Sequence, residues 1–130
     1  MFELKILTHF AAAHQLKMVT EKCEELHGHN WKIEICVARE KLNKAGVVMD
    51  FGIMKQYARE IIAKLDHKFL NDLEFFNDDF PPSSESIAFF IAKQFQEKLE
   101  GMPDIKSDVK LLKVTAWESD TASATYHVKA

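Results

Sequence analysis

Hydrophobic and polar positions alternate along the first sixteen residues. Phe2, Leu4, Ile6, Phe10, Ala12, His14 and Leu16 fall on even positions, while Glu3, Lys5 and His9 fall on odd ones. A period of two sends successive side chains to opposite faces, so the run predicts a half-buried strand. The stretch 17–25 is polar and breaks the pattern, as a loop would. From His27 the alternation resumes on odd positions, through His29, Trp31, Ile33, Ile35 and Val37, with Lys32 and Glu34 opposite. Asn43 to Gly46 supplies turn chemistry, and Val47-Val48-Met49 reads as a short extended run.

The period then changes. Asp50 suits a helix N-cap, and Ile53, Met54, Tyr57, Ile61, Ile62 and Leu65 recur at helical spacing, predicting a helix from about Phe51 to Leu65. Pro81-Pro82-Ser83-Ser84-Glu85 marks a second helix start, with Ile87, Ile91, Phe95 and Leu99 at steps of four, and Gly101-Met102-Pro103 stops it. Two strands near 109–117 and 122–128 close the chain, with Glu118 in the turn between them. The order ββααββ, with hairpin pairs at both ends, predicts an α+β fold on an antiparallel four-stranded sheet. Such a sheet has exposed edges, and oligomerisation is one common way to cover them.

At 130 residues the chain forms one domain, 1–130, with a core of useful size but no room for a second. The formal net charge is −3, with no run of Lys or Arg longer than two residues. A nucleic-acid partner leaves a basic stripe, which is absent from this sequence. No stretch of about 18 uninterrupted apolar residues appears, so no membrane span is expected. The first residues lack the charged-then-apolar pattern of a secretion signal, and a cytoplasmic location is expected. Cys23 and Cys36 are too few for a disulfide framework.

The candidate chemistry lies in His14, His27 and His29. Spacing by two puts His27 and His29 on one strand face, provided no bulge intervenes at Gly28. His14 shares the apolar face of the neighbouring strand, so antiparallel pairing would let three imidazoles converge. Three imidazoles suit zinc and leave a fourth position open for water or substrate. Core or surface histidines are the alternative, although imidazoles on apolar faces need partners for their nitrogens. Cys23, in the polar loop, has three readings: a fourth ligand closing a structural site, a plain loop cysteine, or a thiolate base near the metal. Cys36 has the opposite parity and reads as structural. Asp66-His67 at the end of the first helix is either a helix-end pair or a proton-moving one. Glu118 carries the same ambiguity.

Together these residues resemble a family. Phe10-Ala11-Ala12-Ala13-His14, followed by Cys23-Glu24-Glu25-Leu26-His27-Gly28-His29-Asn30-Trp31, is similar to the signature of 6-pyruvoyl-tetrahydropterin synthases and of the related 6-carboxy-tetrahydropterin synthases of queuosine biosynthesis. The resemblance continues through Gly46–Phe51, Leu65–Asn71, Pro82-Ser83-Ser84-Glu85 and Trp117-Glu118-Ser119, in order and at compatible spacing. It implies the tunnelling fold, with two helices on one face of the sheet and subunits joined as a homohexamer of two trimers. It implies Zn2+ held by His14, His27 and His29, and Cys23 as catalytic base. Asp66 and His67 would be a relay pair from a neighbouring subunit, and Glu118 a catalytic carboxylate that also anchors the pterin ring. The implied substrate is 7,8-dihydroneopterin triphosphate. Ser83 stands where the family usually has Thr, which keeps the hydroxyl. Glu24 and Glu25 follow Cys23 in a loop where some relatives use a glutamate for a different side-chain cleavage directed to folate. Cys23 stands at the usual distance from His27, which favours the Cys-based chemistry.

Overall fold

In the computed structural model, residues 1–16, 26–102 and 108–129 are described, with His27 described by its backbone. Strands β1 (Phe2–His14) and β2 (His27–Arg39) are followed by helix α1 (Phe51–Ile62) and a two-residue strand β3 (Lys68–Phe69). A single 3-10 turn, Leu70–Asp72, leads to helix α2 (Ser84–Glu100) and strands β4 (Lys110–Ser119) and β5 (Ala122–His127). The strands form one five-stranded sheet in the order β3-β1-β2-β4-β5. The α+β fold and the four antiparallel strands agree with the sequence pattern.

The sheet is set by β1 and β2, which pair antiparallel from Phe2↔Arg39 to His14↔His27. Ala13↔Gly28 lies within this ladder without a shift, so Gly28 introduces no bulge. On the other edge of β2, β4 pairs antiparallel, with a register shift between Cys36 and Val37. Even positions of β1 therefore share a face with odd positions of β2 and, from Val114 onward, even positions of β4. That face carries Ile6, Phe10, Ala12, Trp31, Ile33, Ile35, Val114 and Ala116, all buried.

Both helices cover this face. α1 packs against β1, and α2 against β4 and β5. Met54, Ala58, Ile61 and Ile62 form the inner stripe of α1, and Ile87, Ile91, Phe95 and Leu99 that of α2. Asp50 accepts a hydrogen bond from Gly52 N, and Ser83 Oγ accepts one from Ser86 N at 3.1 Å. Each cap satisfies an end amide that has no partner inside its helix, worth about 1 kcal/mol.

Four sequence expectations need correction. α1 ends at Ile62, and residues 63–67 turn back toward β1, where His67 N donates to Ala11 O at 2.6 Å. That return creates β3, a fifth strand parallel to β1 at Ala12↔Lys68 and Ala13↔Phe69, too short to leave a periodic signal. Residues 47–49 form bends rather than a strand, although Val48 and Met49 are buried. Glu118 lies inside β4, not in the turn after it.

The opposite sheet face is polar. The Lys32 ammonium sits 4.6 Å from the centre of the Trp117 ring, and Thr115 and Thr125 pair across β4 and β5. Cys36 is buried on this face, opposite Lys5 on β1 and Lys113 on β4. Burial pushes its thiol up; Glu3 and Glu34 add to the rise, and Lys113 and Lys5 oppose it.

Candidate active site

The sheet register places His14 and His29 one diagonal step apart, because His14 pairs with His27 and Ala12 with His29. Their rings meet edge to face with centroids 5.2 Å apart. The Trp31 ring lies against both, at 5.2 Å from His14 and 5.5 Å from His29, and is fully buried. It forms the floor on which the two imidazoles stand.

Glu118 completes the cluster. Its position two residues beyond Ala116 puts it on the same face as Val114 and Ala116. One carboxylate oxygen, Oε1, lies 3.0 Å from His14 Nε2 and 3.0 Å from His29 Nε2. The ligand atoms of His14, His29 and Glu118 lie within 4.8 Å of one another, a spacing that can hold a metal ion.

His14 is the inner member, with 1% of its side chain exposed, against 22% for His29 and 32% for Glu118. Its Nδ1 lies 2.8 Å from the carbonyl oxygen of Pro82. A carbonyl can only accept, so Nδ1 donates to it, and Nε2 is the ring nitrogen that faces Glu118. Two imidazole nitrogens and a carboxylate oxygen gathered at one point are donors of the kind that hold a metal ion. The donor set therefore fits a cation, and the Pro82 carbonyl is the kind of outer partner that fixes a metal-binding imidazole.

Asp66 and His67 form a separate unit on the other edge of β1. Asp66 Oδ1 accepts from Ala11 N at 2.9 Å, and Asp66 Oδ2 lies 3.6 Å from His67 Nε2. His67 has φ 58°, a left-handed conformation uncommon for a residue with a Cβ. Its side chain is 82% exposed. Cys23, Glu24 and Glu25 lie outside the described residues, as does the His27 side chain.

Residues that the sequence did not single out also shape the site. Asn71 clasps the backbone of Gln15, accepting from its N–H at 2.9 Å and donating to its carbonyl at 2.7 Å. A cleft of about 520 Å3 opens beside this clasp, lined by Gln15, Leu16, Asn71, Phe76, Asn77, Asp78, Pro81, Pro82 and Ser83. Pro82 joins this cleft to His14. A second cleft of the same volume lies around Met1, Arg39 and Lys110, and none of the candidate catalytic residues among the described ones lines it.

A family model described as 6-pyruvoyl tetrahydropterin synthase matches residues 3–129. The chain belongs to this family. Among its relatives, a 6-carboxy-5,6,7,8-tetrahydropterin synthase from Synechocystis sp. is 35% identical, over 90% of this chain and 86% of that protein. A dihydroneopterin monophosphate aldolase from Pyrococcus furiosus is 37% identical, over 85% of this chain and 84% of that one. The solved 6-pyruvoyl tetrahydropterin synthase of Plasmodium falciparum superposes with a TM-score of 0.77 at 23% identity, covering 99% of this chain and 98% of that one. At that identity the likeness speaks for the fold alone. Membership of the 6-pyruvoyl tetrahydropterin synthase family marks the chain as an enzyme of the tetrahydropterin synthase type. Among the described residues, no helix is long and apolar enough to cross a membrane.

Proposed function

We propose that the chain is a zinc-dependent 6-carboxy-5,6,7,8-tetrahydropterin synthase. It would convert 7,8-dihydroneopterin triphosphate and water to 6-carboxytetrahydropterin, acetaldehyde and triphosphate. The observation that carries this reading is the convergence of His14, His29 and Glu118 on one point, in a chain whose relatives include enzymes of that name.

His14, His27 and His29 would hold zinc, which supplies Lewis acidity to the side-chain hydroxyls of the substrate. The Pro82 carbonyl holds the His14 ring with Nε2 toward that point. Cys23 would take a side-chain proton as thiolate, and His67, with Asp66 beside it, would return protons. The pterin ring gains the electrons that its side chain loses, so no external redox cofactor enters. Glu118 would accept from the ring's 2-amino and N3 hydrogens. In a homohexamer of two trimers, Asp66 and His67 would serve a neighbouring subunit's Cys23. The exposure of His67 at the β1 edge supports that arrangement. Such an assembly would work in the cytoplasm.

Two neighbouring chemistries differ only in the fate of the side chain. A 6-pyruvoyl synthase keeps it. The likeness to the Pyrococcus furiosus aldolase favours, as a second reading, cleavage to a 6-hydroxymethyl pterin. Mass spectrometry of the products from zinc-loaded protein and 7,8-dihydroneopterin triphosphate separates all three. A 6-carboxy product with acetaldehyde supports the proposal, and a 6-pyruvoyl or 6-hydroxymethyl product replaces it. Unchanged substrate with zinc bound leaves a pterin- or zinc-binding protein.

A further inference from the structure

We infer that Glu118 is a displaceable metal ligand, which closes the metal position in the substrate-free protein and yields it to the substrate's hydroxyls. This rests on the metal reading above.

Three donor atoms converge on one point. His14 Nδ1 donates to the Pro82 carbonyl at 2.8 Å, which turns Nε2 toward Glu118. Oε1 of Glu118 stands 3.0 Å from that Nε2 and 3.0 Å from Nε2 of His29. The ligand atoms of all three residues lie within 4.8 Å of one another, as they would around a shared cation.

The distances match a coordination shell. Zinc bonds of about 2.0–2.1 Å in a tetrahedron separate neighbouring donor atoms by roughly 3.3–3.4 Å. The two separations of 3.0 Å come within a few tenths of an ångström of that edge. That spacing lets Glu118 stand as a ligand itself rather than beyond the ligands.

Access distinguishes Glu118 from His14. His14 is enclosed, while Glu118 sits at the next-to-last position of β4 with 32% of its side chain exposed. Among the described donors it is the most exposed, and so the one placed to leave. Once displaced, its carboxylate is free to accept hydrogen bonds from the substrate, which reconciles a metal-facing resting position with a ring-binding one.

Cobalt(II) reports the coordination directly. In a Cys23→Ser background, which removes the other candidate thiolate, Glu118→Cys is loaded with Co2+ and compared with its parent. A sulfur-to-cobalt charge-transfer band should appear in the near ultraviolet with Glu118→Cys and not in the parent. It should disappear when unphosphorylated 7,8-dihydroneopterin saturates the site, with binding followed by pterin fluorescence. Cobalt bound without the band overturns the inference and leaves the metalloenzyme reading standing. A band that persists with the pterin bound overturns displacement. A parent that binds no cobalt removes the metal reading itself. Should Glu118→Cys fail to fold, Glu118→Gln provides the second measurement. Azide should shift the visible cobalt spectrum of Glu118→Gln and leave that of the wild type unchanged. An equal shift in both means the position was already open and overturns the inference.

Discussion

Asp66 reaches from the end of α1 to the backbone of Ala11, accepting its N–H at 2.9 Å, while the next residue's N–H donates to the carbonyl of the same Ala11. A candidate proton carrier is thus also a structural clamp on the edge of β1. The two roles separate by substitution. Asp66→Ala should lower stability by about 1 kcal/mol in urea denaturation, since one partly exposed hydrogen bond is lost. Asp66→Asn retains an acceptor oxygen and should unfold within a few tenths of a kcal/mol of the wild type. Both should lose turnover. Full activity in Asp66→Asn would remove Asp66 from the relay.

His14 lies at the deepest point of the site. His14→Ala should cost about 2–4 kcal/mol, from the stranded Pro82 carbonyl and the cavity left against Trp31. Zinc content measured by elemental analysis should fall with it. Normal zinc and an unchanged unfolding midpoint would place the metal elsewhere.

Cys23 separates catalysis from coordination. Cys23→Ala should retain zinc and lose product formation, as expected of a base. Loss of zinc from this variant would make Cys23 a ligand and the site structural.

Cys36 offers a pH test. Burial holds its thiol above the ordinary value of 9.0, so the folded protein keeps a proton that the unfolded chain releases. Its contribution is fully present below pH 9 and is lost as pH rises through the folded value. Stability of the wild type should fall more steeply above pH 9 than that of Cys36→Ala. Parallel curves would show that the thiol does not titrate with unfolding. Below pH 9, Cys36 should also react with thiol reagents much more slowly in the folded protein than in urea.

The sequence determined the faces. Alternation in β1 and β2 put His14 and His29 on the buried side of adjacent strands, and helical spacing found both helices and their inner stripes. These are local properties, since a side chain's direction follows from the period of its own element. The ordered motifs also carried the family.

Tertiary structure decided which side chains meet. Pro82 and Glu118 reach His14 across 68 and 104 residues of chain, and no local period encodes either contact. Glu118 was misplaced into a turn because β4 runs to Ser119, two residues beyond its apolar run, held by pairing with β5. β3 exists only because the chain leaving α1 returns to the backbone of Ala11. A strand of two residues has no pattern of its own, so its identity comes wholly from its neighbour.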